Sequence, residues 1–358
     1  AAFENSAKKF VGVQFHPEVN HTKQGKELIS NFIFGIANLK RDWDSTNFIA
    51  ETISKIQKQA PHGNIVCGLS GGVDSSVAAV LVHKAVGKRL HCIFVDNGLL
   101  RKGEAEQVMR DMLSLGLNVK LADAKEEFLS QLEGITDPEQ KRKIIGRVFI
   151  DVFEREAALV DDAKFLVQGT LYPDVIESVS VVGKSHTIKS HHNVGGLKED
   201  MKFELIEPLR ELFKDEVRAI GGEMRVPNTI LFRQPFPGPG FAVRCLGEIT
   251  KQKLEMLAQA DKIVTDEIQA AGIAKEMWQY FAVLLPVKSV GVMGDARTYD
   301  QAIALRTVSS RDGMTADWCL PPENLLRKIS ARIVNETPGI NRVVPDITSK
   351  PPGTIEWE

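Results

Sequence analysis

Ser70-Gly71-Gly72-Val73-Asp74-Ser75-Ser76 is the stretch whose residue types and spacing point most directly to chemistry. It follows a short apolar run and opens a segment with helical spacing. Two adjacent glycines let the backbone turn sharply and approach a ligand closely. Free N–H groups and the helix dipole at such a turn favour an anion. Ser70, Ser75 and Ser76 add hydroxyl donors, and Asp74 offers a carboxylate to a magnesium ion on bound phosphates. A Walker A loop places Lys-Ser/Thr after its glycines; this loop places an Asp there instead. The competing reading is a glycine-rich strand-to-helix turn that binds nothing.

Three further groups carry chemically active side chains. Asp174 and Glu177 are three residues apart after Pro173, which puts both on one face of a helix where they can share a metal. Lys189, His191, His192 and Asn193 fall in a glycine-containing loop, "IKSHHNVGGL". His16 and Glu18 flank Pro17 at the end of the apolar run Phe10–Phe15. That pair has the form of a general base and its orienting carboxylate, which normally serve a nucleophile. Arg101 and Lys102 are cations just beyond the strand-like "LHCIFVDNG" at 90–98; surface charge is the default reading for such residues.

The elements that must position these groups alternate between strand and helix from about 45 to 230. "NIVCGL" at 64–69, "LHCIFVDNG", "NVKLADA" and "KFLVQGT" at 164–170 read as strands. "SSVAAVLVHKAV" at 75–86 and "EAEQVMRDMLSLG" at 104–116 read as helices, the second closed by glycine. Such alternation predicts an α/β fold with a doubly wound parallel sheet, whose ligands bind at the carboxyl ends of the strands. From about 235 the pattern changes. "RQPFPGPGFAVR" is a linker or an ordered loop, followed by a helix over 251–270, the strand-like "FAVLLPVKSVGVMG", a helix near 321–336 and "NRVVPDIT". This predicts a smaller α+β domain. The expected divisions are 1–38, 39–234 and 235–358.

The 358 residues are 43% hydrophobic and 26% charged, with a formal net charge of -2. A disordered chain and a general nucleic-acid binder are both disfavoured. No apolar run approaches the ~20 residues that span a bilayer. These readings predict no nucleic-acid or membrane partner. Cys67, Cys92, Cys245 and Cys319 form no CxxC pair, so a zinc site or disulfide framework is not expected, and free thiols fit a cytoplasmic protein.

The strand–SGGxDS–helix pattern resembles the pyrophosphate loop of the ATP pyrophosphatases, which adenylate a substrate oxygen and release pyrophosphate. Within that group, "QGTLYPDVIES", "IKSHHNVGGL", "PFPGPGFAVR", "GDARTYD", "DGMTADW" and the closing "SKPPGTIEWE" together resemble the glutamine-hydrolysing GMP synthetase family, over nearly the whole chain. The resemblance implies an adenine nucleotide α hydrolase-like sheet and the amination of xanthosine 5′-monophosphate (XMP). ATP and Mg²⁺ would serve activation, ammonia derived from glutamine would be the nitrogen donor, and a C-terminal domain would carry a homodimer contact. It assigns Ser70, Gly71, Gly72, Val73, Asp74, Ser75 and Ser76 to ATP phosphates, with Asp74 on the metal, and Val95 to adenine. Asp174 and Glu177 would bind metal or position reacting groups, and Lys189, His191, His192 and Asn193 would form a lid. Lys214 would be a further phosphate contact. Arg101, Gln279, Lys350, Ile355 and Glu356 would hold XMP. "GVQFHPE" resembles the end of a class I glutamine amidotransferase domain, whose triad also needs a cysteine; none precedes His16, so this chain is expected to use ammonia without hydrolysing glutamine.

Two other readings stay in view. One is a relative with the same chemistry, an NAD synthetase or a tRNA-thiolating enzyme; the thiolating enzyme needs reactive cysteines, whereas Cys67 and Cys92 lie in apolar runs. A non-catalytic nucleotide-binding module predicts loss of Asp74, Asp174 or Glu177, and all three are present. Gln234, Lys198 and Pro345 depart from the family pattern, where His, Pro and Tyr are usual. The basic first turn of "KRKIIGRVFIDVFE" is read either as a contact to substrate phosphate or as a solvated face.

Overall fold

The computed structural model describes residues 1–19, 22–41, 43–179, 203–293, 295–310 and 313–358, the side chains of 177–179 and 293 excepted. The chain divides into two compact units, Ala1–Phe48 and Ile49–Glu358.

The first unit begins with an antiparallel hairpin of β1 (Ala2–Asn5) and β2 (Phe10–Val13), followed by α1 (Gly25–Ser30). Beyond α1 the coil widens over Asn31–Ile36, and the Ala37 N–H reaches back five residues to the Phe32 carbonyl at 2.8 Å. Helix α2 (Ser45–Gln59) then leads toward the second unit.

The second unit opens with a five-stranded parallel sheet. Its elements in chain order are β3 (Asn64–Leu69), α3 (Val73–Val86), β4 (Leu90–Asp96), α4 (Glu104–Ser114), β5 (Val119–Asp123), α5 (Lys125–Gln131), α6 (Pro138–Ala157), β6 (Ala163–Val167), α7 (Tyr172–Val179), β7 (Glu204–Ile206), α8 (Lys214–Glu223) and α9 (Asn228–Leu231). The strand order is β5-β4-β3-β6-β7, so the chain winds away from β3 in both directions. The loop after β3 therefore stands at the topological switch point, where parallel sheets leave a crevice. Strands β3 and β4 are near-continuous apolar runs because both of their faces are covered by helices. Local chemistry sets the helix ends. Asp137 accepts the Gln140 N–H at 2.8 Å with Pro138 at the first position of α6, and Gly116 (φ +76°) follows the end of α4.

The segment 233–244 is an ordered loop, with Gly240, Phe241, Ala242 and Val243 all buried in a short helical turn. Gly240 has φ +61°, and a Cβ there would lie 2.3 Å from the Leu99 carbonyl oxygen, so only glycine fits. Next come α10 (Lys251–Ala270), β8 (Gln279–Met293), β9 (Ala296–Ser309), β10 (Asp317–Trp318), α11 (Glu323–Glu336) and β11 (Ile340–Asp346). β9 is the central strand of this second sheet, antiparallel to β8 and parallel to β11. Alternation along β8 divides its side chains. Tyr280, Ala282 and Leu284 join Leu257 and Ile263 of α10 and Ile329 and Ile333 of α11 in the main core. Phe281 and Val283 face the other way, with Ile355 packed on them. The main core runs continuously from Val66 and Ile93 of the first sheet through Phe241 to the second.

Candidate active site

The phosphate-loop residues meet at the carboxyl end of β3. Gly71 takes φ +72°, and Gly72 precedes α3 with no side chain capping the helix. The first N–H groups of α3 are thus not closed off by a side-chain cap. The serines brace the turn: Ser70 Oγ lies 3.1 Å from Ser75 Oγ, and Ser76 Oγ donates to the Gly72 carbonyl at 2.7 Å. Gly169, after β6, sits where a Cβ would come within 3.2 Å of the Asp74 carbonyl carbon and 3.3 Å of the Ser75 nitrogen. That glycine lets a neighbouring strand end press against the first turn of α3. Val95 reaches the same edge on β4, with its side chain in the core and its main chain paired with Ala122.

Asp74 projects from the first turn of α3. Lys214, the first residue of α8, holds its Nζ 3.5 Å from Asp74 Oδ2. The other oxygen, Oδ1, is buried with no hydrogen-bond partner among the described residues. Burial raises the Asp74 carboxyl above its ordinary value, Lys214 opposes this, and the negative charge of Asp174 adds to it. An orphaned anionic oxygen under a second carboxylate suits a divalent cation bound with phosphates. Asp174 itself accepts the Leu171 N–H at 3.0 Å. Among the described residues no group of three or more His, Cys, Asp or Glu is arranged to hold a metal. Glu177 lies on α7, but its side chain is outside the described residues, as are Lys189, His191, His192, Asn193 and Lys198.

A second cluster gathers around Pro235. Arg101 Nη2 and Gln279 Nε2 both donate to its carbonyl, each at 3.3 Å. The guanidinium of Arg101 lies 4.3 Å from the Phe236 ring centroid and its Nε lies 3.9 Å from Asp261 Oδ2. Arg101 Nε and Gln279 Oε1 are buried with no hydrogen-bond partner among the described residues. Asp261 is also faced by Arg244, which is fully buried and grips Glu356 through two hydrogen bonds of 2.9 and 2.7 Å. Burial raises the Asp261 carboxyl and lowers the Arg101 guanidinium from their ordinary values. Two cations and two anions balance within this pocket. Lys350 is engaged elsewhere, donating to the Gly313 carbonyl at 2.7 Å.

Arg244, Asp261, Glu104 and Arg233 escaped sequence reasoning. Asp261 did leave a signal, since it stands among the buried positions Leu254, Leu257, Ala260 and Val264 of α10, where a charge requires a partner. The basic start of α6 fits neither reading proposed for it as a whole. Lys143 is exposed, but Lys141 is fully buried and uses all three donors, to the carbonyls of Ala242 (3.1 Å) and Cys245 (3.0 Å) and to Glu358 Oε2 (2.6 Å). Gln234, in place of the usual His, accepts the Tyr280 N–H at 3.1 Å, and Pro345 lies in β11 opposite Leu305.

The cysteines are unsuited to nucleophilic work. The adjacent Cys92 thiol and burial hold the Cys67 thiol well above its usual range, burial pushes Cys245 to about 11, and burial also raises Cys319. In the first unit His16 Nδ1 lies 2.8 Å from Glu18 Oε1, so the predicted pair forms. The Glu18 carboxyl is held below its ordinary value by its own backbone N–H and then by His16.

A parallel sheet with a capless, serine-braced phosphate turn at its switch point defines a nucleotide-binding α/β protein. Three family models match it in sequence: "Glutamine amidotransferase class-I" over residues 1–36, "NAD synthase" over 44–145 and "GMP synthase C terminal domain" over 266–357. The GMP synthase (glutamine-hydrolyzing) of Chlorobium luteolum is 61% identical over 99% of this chain and 68% of its own length. That of Caldicellulosiruptor saccharolyticus is 61% identical over 100% of this chain and 70% of its own, and that of Geobacillus kaustophilus 58% over 100% and 70%. The chain belongs to the GMP synthase (glutamine-hydrolyzing) family, whose chemistry uses ATP. Among the described residues no helix is long and apolar enough to cross a membrane.

Proposed function

We propose that this chain converts XMP to GMP in the cytoplasm, with ATP as activating co-substrate. The observation that carries the reading is the unpartnered Asp74 Oδ1 at the mouth of an open phosphate turn. ATP phosphates lie on Ser70–Ser76, with adenine against the main chain at Val95. XMP lies by Arg101 and Gln279; of the tail residues assigned to the same substrate, Glu356 joins this cluster through Arg244, Ile355 is its neighbour, and Lys350 would have to leave the Gly313 carbonyl to reach it. The xanthine O2 attacks the α-phosphorus, the α–β phosphoanhydride bond breaks, and pyrophosphate leaves with the bonding electrons. Ammonia then attacks C2 and loses a proton as AMP departs. Activation replaces a poor leaving oxygen by a good one and divides one hard step into two.

Asp74 would hold Mg²⁺, with Asp174 and Glu177 close by, and the ion supplies charge neutralisation for the pyrophosphate. Lys214 holds Asp74 from the opposite side. Lys189, His191, His192 and Asn193 close over the reacting groups and exclude water. The divisions 1–38, 39–234 and 235–358 assign this work to an amidotransferase end, a synthetase domain and a dimerisation domain. His16 and Glu18 are the base and orienting carboxylate of an amidotransferase triad whose cysteine none of the four in this sequence supplies.

The test combines ATP, Mg²⁺ and XMP with ammonium, and in a parallel reaction with glutamine. Ammonium is expected to yield GMP, AMP and pyrophosphate in equal amounts; ADP and phosphate in their place would sink the adenylation reading. Glutamine is expected to support no turnover by the 358-residue chain, because its thiols are buried or raised. Measurable glutaminase activity would overturn that part.

A further inference from the structure

Four consecutive residues, Arg233 to Phe236, reach both halves of the candidate site. Arg233 Nη1 donates to the Gly71 carbonyl at 2.9 Å, and its Nη2 donates to Glu104 Oε1. Glu104 is buried, and its Oε2 accepts the Arg101 main-chain N–H at 2.7 Å. The Gln234 side chain takes the Tyr280 N–H, next to Gln279. The Pro235 carbonyl receives Arg101 and Gln279, and the Phe236 ring lies against Arg101. Prolines 235, 237 and 239 stiffen the segment. Its far end is tied where the Phe241 N–H donates to the Leu99 carbonyl at 2.8 Å, two residues before Arg101.

These contacts can transmit geometry. The Gly71 carbonyl and the Gly72 N–H belong to one planar peptide, so a grip on the oxygen fixes the direction of the N–H. That N–H lies in the turn expected to cradle phosphate. The same guanidinium holds the carboxylate that positions the Arg101 backbone. Phosphate binding that turns the Gly71–Gly72 peptide must shift or strengthen the Arg233–Glu104 pair, and with it the Arg101 loop.

We propose that Arg233 is a positioning residue that, through Glu104, couples nucleoside triphosphate on the phosphate loop to purine monophosphate at Arg101 and Gln279. Each ligand tightens the other, and by linkage the two effects are equal. The proposal rests on the assignment of both ligands given under Proposed function. A purely structural staple would instead lower stability and leave any coupling intact.

The test is titration calorimetry on the full chain, measuring XMP affinity with and without saturating α,β-methylene-ATP, which cannot release pyrophosphate. The native chain is expected to bind XMP about 5–150-fold more tightly with the analogue, the usual range of site-to-site coupling. Arg233→Met and Glu104→Gln are expected to bring that factor to about one while each ligand alone binds within roughly threefold of native. Arg233→Lys, which keeps the charge and a donor, should restore part of it. Glu104→Gln preserves side-chain shape and carries the test if Arg233→Met does not fold. Undiminished coupling in Glu104→Gln, or ligand binding by the native chain without coupling, overturns the proposal alone. Failure of the native chain to bind either ligand overturns the functional reading, and the coupling with it.

Discussion

Asp74 shows at the residue scale how a site stores unfavourable charge for later use. Its carboxyl is raised by burial, with Asp174 adding to the effect. The folded chain therefore holds a proton on Asp74 more tightly than the unfolded chain does. Stability from this group is present at low pH and is lost as pH rises through the folded-state value, which burial sets above the group's ordinary one. Replacing the carboxylate with a neutral amide removes that loss. Asp74→Asn is expected to raise the stability of the ligand-free chain by about 0.5–2 kcal/mol at pH 8, the usual gain from relieving a strained functional site. The gain should shrink toward pH 4, and GMP formation should fall steeply. Melting curves at the two pH values, read beside the turnover assay, check this; a variant destabilised at pH 8, or one with native turnover, would remove Asp74 from the proposed role. Asp74 was legible in the sequence because its meaning is local, two residues past a glycine pair. Arg233 was not, because Gly71 and Glu104 lie 162 and 129 positions away.

Between elements, the decisive contacts are buried charges that fasten the segment 346–358 to the rest of the second unit. Lys141 of α6 holds Glu358, Arg244 holds Glu356, and Arg306 of β9 reaches the carbonyls of Thr348, Thr354 and Ile355 at 2.6, 3.0 and 3.3 Å. All three cations are fully buried, so removing one partner strands a charge or a set of carbonyls. Lys141→Ala is expected to cost about 3–5 kcal/mol, the usual penalty for breaking a buried ion pair. Adding Glu358→Gln to it should cost little more, because the two residues share one interaction. Urea unfolding of the two single variants and the double variant decides it: strict additivity, or a loss below about 1 kcal/mol for Lys141→Ala, would mean the contact does not hold the segment. The helix carrying Lys141 was read from the stretch "KRKIIGRVFIDVFE". The direction of Lys141 was not, since a lysine in a first turn is ordinarily solvated.

For the molecule as a whole, the second sheet extends beyond its own core. In the outer half of the β8–β9 hairpin Val290 pairs with Tyr299, and Val292 lies two residues along on the same face. All three are more than half exposed, and an apolar stripe of this kind is a common mark of an interface. It supports the homodimer proposed for the C-terminal domain. Val290→Asp with Val292→Glu is expected to shift the chain to monomer in sedimentation velocity, with its melting curve still cooperative. A native chain that sediments as a monomer, or a double variant that remains dimeric, would reject this hairpin as the contact. The doubly wound class of the first sheet was legible in strand–helix alternation, but its order and its edge strand β7, only three residues long, came from the tertiary structure. The central strand of the second sheet, β9, was passed over. Its first half is polar and exposed, and its apolar run Ala302–Leu305 is short, so its position depends on β8 and β11 rather than on its own pattern.

The sequence by itself determined what lies in short stretches: the SGGVDSS turn between strand and helix and the His16–Glu18 pair. In each case the interacting residues are within a few positions of one another, where backbone geometry is set by residue type and spacing. Tertiary structure alone decided which charges are buried together: Arg101 with Asp261, Arg244 with Glu356, Lys141 with Glu358, and Arg233 with Glu104 and Gly71. Burial changes what a charged side chain must do, since a cation removed from water requires partners, and those partners come from parts of the chain that only folding brings together.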